Sequence, residues 1–114
     1  MMKELLPIGS VVALNNGATL MIDGYGMKNE TDGKIYDYSG VIFPMGLDVT
    51  ALQLFNKKDV KTVVFIGYQT SKSIKYRKYM DQYIADIKGG MSVEDAKNKL
   101  MSALKKGGFY YDYG

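Results

Sequence analysis

The chain has 114 residues, enough for one domain with a real core and too few for two. Hydrophobic residues make up 46% and charged residues 24%, globular values that exclude global disorder. There is no cysteine and no histidine, which excludes a disulfide framework, thiolate-bound zinc and a thiol nucleophile, and removes the commonest general base and metal ligand.

Any catalysis would rest on carboxylates, Lys, Tyr or Ser, so the expectation is a chain with no catalytic residue, no cofactor and no metal site. The net charge of +3 is unevenly spread. Residues 1–60 hold five Lys and seven acids, and residues 61–114 hold ten Lys/Arg and five acids. The basic character belongs to the second half.

Pro7, Gly9 and Ser10 interrupt the apolar N-terminal stretch, so it lacks the length of a signal sequence. No apolar run approaches the ~20 residues of a membrane span. The expected location is the cytoplasm.

"SVVAL" at 10–14 is β-branched and apolar and predicts a short strand. "NNG" at 15–17 is a turn, and "ATLMIDGYGM" at 18–27 predicts a second strand, with a bulge or bend at Gly24 and Gly26. "KNETDGK" at 28–34 is a hairpin loop. "KIYDYSGVIFPMG" at 34–46 predicts a third, central strand, with alternate side chains on opposite faces. Gly40 would bend it or admit another backbone, and Pro44, which has no N–H, would end it.

A loop then leads into a strand at Leu52–Phe55, and "NKKDV" at 56–60 predicts one helical turn capped by Asn56. "KTVVFIGY" at 61–68 is the clearest strand, because Val63 to Ile66 form a continuous apolar run closed by Gly67.

Beyond residue 70 the periodicity changes to about 3.6. Ile74, Tyr76, Tyr79, Met80, Tyr83, Ile84 and Ile87 form the stripe of an amphipathic helix, with Ser71 or Ser73 as its cap and Gly89-Gly90 as its stop. "SVED" at 92–95 fits a capping box. The helix that follows places Val93, Ala96, Leu100, Met101 and Leu104 on one side and stops at Gly107-Gly108. The last six residues, "FYYDYG", are aromatic enough to need docking, on their own domain or on a partner.

"KSIKYRKYMDQY" at 72–83 mixes four basic residues with three tyrosines. It reads either as a nucleic-acid surface or as a solvated helix face over a tyrosine-rich core stripe. The small net charge makes nucleic acid the weaker partner. Eight Met and ten Tyr fit a protein-binding module, although Met is also ordinary core filler. The candidate partner contacts are Tyr76, Tyr79, Met80, Tyr83 and, in the tail, Phe109, Tyr110, Tyr111 and Tyr113. The candidate basic face is Lys72, Lys75, Arg77 and Lys78.

Several pieces occur together and in order: "LLPIGSVVAL" at 5–14, "LMIDGY" at 20–25, "YDYSGVIFPMG" at 36–46, "LFNKKDV" at 54–60 and "VVFIGY" at 63–68. In these the chain resembles a small bacterial family, domain of unknown function 4176. Its members are found near type VII secretion genes of Gram-positive bacteria, often beside toxins with an N-terminal LXG domain. The matching positions are Pro7, Gly9, Asp37, Tyr38, Gly40, Pro44, Gly46, Phe55, Asn56, Asp59 and Gly67. Lys57-Lys58 departs from the His-Glu or acidic pairs common there.

The resemblance implies a cytoplasmic accessory protein, a targeting or chaperone-like partner of an LXG toxin, and no established catalytic residue. The chain has no Trp for a WxG turn and no YxxxD/E export motif, so it is not expected to be an exported substrate.

The expected fold is α+β: a small, bent antiparallel sheet, up to a partial SH3-like barrel, followed by a C-terminal two-helix hairpin. One domain is expected over 1–114, with a β-rich part at 1–68, helices at 71–107 and the tail at 108–114. The expected function is binding an LXG toxin or its small helical targeting factors. The alternatives are an immunity protein that offers the basic face to a toxin's acidic site, and a small nucleic-acid-binding module. Oligomeric state is left open.

Overall fold

The computed structural model describes residues 4–47 and 52–109. Five strands form one open antiparallel sheet, as expected: β1 (Val11–Leu14), β2 (Thr19–Lys28), β3 (Ile35–Ile42), β4 (Gln53–Phe55) and β5 (Val60–Phe65), in the order β4-β3-β2-β1-β5. β4 and β5 are its two edges, and the sheet does not close into a barrel. Two helices follow, α1 (Ser71–Lys88) and α2 (Val93–Lys106).

The β1–β2 turn uses Gly17 at φ 92°, where a side chain would be strained. The β2–β3 register slips between Ile22 and Gly24, so Asp23 is the extra residue of a bulge, where glycine spacing predicted one. Gly40 serves close approach: a Cβ there would lie 2.8 Å from the Met21 carbonyl oxygen and 3.1 Å from the Phe55 ring. β3 stops at Ile42, and the Phe43-Pro44 peptide is cis.

The turn after β4 is a 3₁₀ turn, Lys57–Asp59, entered through Asn56. The α1 cap lies one residue earlier than expected. Thr70 is the N-cap, its Oγ1 accepts from the Ser73 N–H at 2.9 Å, and the Ser73 Oγ accepts from the Thr70 N–H at 2.8 Å. Ser92 caps α2 by accepting from the Asp95 N–H at 3.0 Å.

The core forms where α1 crosses β2 and β3, and α2 packs on α1. Val12, Leu14, Leu20, Ile22, Tyr25, Tyr38, Phe55, Met80 and Ile84 are buried together, with Leu5 closing one side. The N-terminal segment is strapped down by two sheet tyrosines: the Tyr25 hydroxyl donates to the Leu6 carbonyl, and the Tyr38 hydroxyl accepts from the Leu6 N–H at 2.9 Å.

Candidate protein-binding surface

The α1 stripe is the seam of the molecule. Met80 is buried against Gly26, whose φ of 68° and missing side chain let the helix close on β2. Met80 is therefore core filler and is withdrawn as a contact residue. Tyr76, Tyr79 and Tyr83 are half-buried. Tyr76 packs between Tyr25, at 6.4 Å between ring centres, and Phe109, at 5.6 Å. Tyr79 meets the Phe109 ring edge-on at 6.0 Å. Tyr79 and Tyr83 face Ala96, Leu100 and Ala103 of α2 across a narrow gap of about 50 Å³.

The first tail residue, Phe109, docks on its own domain. Tyr110, Tyr111 and Tyr113 lie outside the described residues.

The basic face does not form as expected. Arg77 is only 8% exposed, its Nη2 donates to Gln69 Oε1 at 2.7 Å, and its Nη1 is buried without a hydrogen-bond partner. The cause is spacing: residues 77, 80 and 84 lie three and four apart, so Arg77 shares the inward face with Met80 and Ile84. Lys72 lies over the Phe109 ring at 5.2 Å. The Lys75 Nζ donates to the Gly107 carbonyl at 3.3 Å, at the negative end of α2. Of the four, only Lys78 is exposed with no such contact among the described residues.

The polar positions that matched the family meet at a second place. The buried Asp37 carboxylate accepts the Lys57 N–H at 2.8 Å and the Lys88 Nζ at 2.9 Å. Its own N–H donates to Asn56 Oδ1 at 3.0 Å, while the Asn56 N–H donates to Asp59 Oδ2 at 2.8 Å. β3, the 3₁₀ turn and the end of α1 are thus tied by one carboxylate and one amide. Lys57 of the same turn pairs with Asp81 of α1 at 2.7 Å.

Two buried tyrosines titrate abnormally. Burial pushes the Tyr25 and Tyr38 hydroxyls up to about 12, opposed at Tyr25 by the Arg77 charge and at Tyr38 first by the Leu6 hydrogen bond. Asp32 is held below the usual carboxylate range by the Tyr36 hydroxyl, and Asp86 by Gln82 and Lys99. Among the described residues, no group of three or more acids could hold a metal ion. No described helix is long and apolar enough to cross a membrane.

The most exposed apolar side chains cluster at the sheet and its loops, with Ile74, Val93 and Met101 exposed on the helices. Val64 is 62% exposed, Phe65 60% and Tyr68 86%, with Ile66 and Ile8 about half exposed. The run that read as the most strand-like is the outer edge. Two register slips against β1 leave Lys61 and Val64 as extra residues, so the inward positions fall at Val60 and Val63, three apart. Val64 and Phe65 are consecutive and both face water.

Ile8 joins the patch because Gly67 lets the chain pass: the Gly67 N–H donates to the Ser10 Oγ at 2.9 Å, against the Ile8–Ser10 backbone. A second exposed set, Phe43, Met45, Leu47 and Leu52, sits at the β3–β4 end. An apolar run alone cannot distinguish an exposed edge from a buried strand, so sequence reasoning missed this surface.

No curated protein and no solved structure matches the chain. The family model of a domain of unknown function, DUF4176, matches residues 5–76, which include all five strands, Asp37 with the 3₁₀ turn it binds, and the apolar edge, but not Lys88. This chain belongs to the DUF4176 family.

Proposed function

We propose that this chain is a non-enzymatic cytoplasmic accessory protein that binds an LXG toxin, or the small helical factors that travel with it, for type VII secretion. The observation that carries the protein-binding part is the β5 edge. Five large apolar side chains, Ile8, Val64, Phe65, Ile66 and Tyr68, stand in water on one border of the sheet. Exposed apolar groups grouped in this way mark a protein contact. The toxin as partner rests on the family resemblance. The same resemblance supports a targeting or chaperone-like role over chemistry, since the positions it shares, such as Asp37, Asn56 and Gly67, are engaged in hydrogen bonds that tie the fold.

The immunity and nucleic-acid readings drew on a continuous basic helix face, and Arg77 has left it. The test is co-purification. The chain and the LXG protein encoded beside it, mixed at equal concentrations, are expected to elute as one stoichiometric complex. Separate elution at every concentration would reject the reading.

A further inference from the structure

The β5 edge shows how it can be covered. It is a poor template for strand addition, because two slips interrupt its register and Lys61, the one charged residue on β5, sits at one of them. Bulges and edge lysines are the devices that keep a free edge from pairing with another strand. What remains on offer is side-chain surface: Val64, Phe65 and Ile66, continued by Ile8 and Tyr68. The extended run from Val64 to Tyr68 spans at most about 16 Å, the length of about 11 helical residues.

Charge restricts the occupant further. Residues 60–69 contain Lys61 and no Asp or Glu, and residues 5–22 contain no charged residue at all. The surface built from these two segments has no acid of its own. A second copy would set two such acid-free surfaces face to face, in a chain that already carries +3.

We propose that the ridge Ile8, Val64, Phe65, Ile66 and Tyr68 receives an amphipathic helix of a partner protein. The helix lays its apolar stripe on the ridge and turns acidic residues toward Lys61. The proposal rests on the protein-binding reading above and adds the partner's chemistry. The docking is a helix laid on an apolar surface, read by anchors three and four residues apart.

The test uses the full chain, labelled for amide NMR, and three synthetic peptides. The first is an 18-residue amphipathic helix with leucine on one face and glutamate on the other (about 18 residues span the ridge with two turns to spare). The second carries lysine in place of each glutamate. The third alternates valine and glutamate to favour a strand. The first peptide is expected to shift the amides of Ile8 and Val64–Tyr68, and to bind roughly tenfold more tightly than the second. Phe65→Asp is expected to weaken it by roughly tenfold or more, with the melting temperature kept because Phe65 is exposed.

Tighter binding of the strand peptide overturns the helical occupant. Equal binding of the acidic and basic helices overturns the charge argument. Rapid disulfide cross-linking of Ile66→Cys between copies, in a chain with no other cysteine, would make the occupant a second copy and overturn the proposal. If no peptide binds at the ridge and Phe65→Asp still joins the toxin complex, the ridge is wrong and the protein-binding reading stands. If the unmodified chain forms no toxin complex while the acidic helix binds the ridge, the ridge stands and the toxin is the wrong partner.

Discussion

Asp37 of β3 holds the Lys88 ammonium of α1 at 2.9 Å, joining two positions 51 residues apart. The same carboxylate takes the Lys57 N–H, so it satisfies the turn after β4 and fixes the end of α1 together. The two partners are unequal. The Asp37 side chain is 9% exposed and that of Lys88 43%. Asp37→Ala strands the part-buried Lys57 N–H and the Lys88 ammonium together and is expected to cost about 2–3 kcal/mol. Lys88→Met removes only a half-exposed partner and is expected to cost under about 1 kcal/mol. Urea unfolding of both variants checks the order, and equal losses would contradict it.

The sequence carried most of the fold and misplaced much of the surface, for reasons visible in particular residues. Turn and cap chemistry is local, so Gly17, Ser92 and Gly89 fell where their spacing put them. The helical stripe marked the buried side of α1, and Met80, read as a contact, is buried there because the stripe packs on the sheet. Arg77 was legible in principle, since it falls three residues before Met80. β5 was not, because its inward residues follow a spacing of three set by its pairing with β1, which no local pattern encodes.

Arg77 gives a second test. It buries a guanidinium with one side-chain partner, Gln69, and a second nitrogen with none. Taking a guanidinium out of water costs on the order of several kcal/mol, and no carboxylate among the described residues pairs with Arg77 to repay it. Arg77→Met is therefore expected to leave the melting temperature unchanged or to raise it, while Met80→Ala on the same face loses about 2–5 kcal/mol. A large loss in Arg77→Met would mean that the guanidinium has partners beyond Gln69.

The tyrosine pair sets an alkaline limit. Tyr25 and Tyr38 are raised from 10 to about 12 by burial, so the fold favours their protonated form. A group whose pKa is higher in the folded state contributes its full stability below the unfolded value and loses it as pH rises through the folded one. Stability is expected to hold up to about pH 10 and to fall between pH 10 and pH 12. Tyr38→Phe removes one ionising group and should flatten that fall, while giving up the hydrogen bond from the Leu6 N–H at neutral pH. Denaturant melts across this range, followed with tyrosinate absorbance, read both effects.

Gly67 and Gly17 separate two reasons for a glycine. Gly17 sits at φ 92° with open space around it, so Gly17→Ala meets only backbone strain, about 1–2 kcal/mol. At Gly67 a Cβ would overlap the Ile8 carbonyl oxygen and lie 2.9 Å from the Ser10 nitrogen, both of them backbone atoms that cannot rotate away. Gly67→Ala must push the β5 exit off the Ile8–Ser10 strand entry and break the Gly67–Ser10 hydrogen bond, at about 2–4 kcal/mol. The same displacement separates Ile8 from Ile66 and Tyr68 and divides the exposed ridge. Gly67→Ala is therefore expected to lose both stability and affinity for the acidic amphipathic helix, whereas Gly17→Ala loses only stability. Melting and peptide titration on the two variants decide it. Unchanged helix binding in a folded Gly67→Ala protein would show that Ile8 is no part of the ridge.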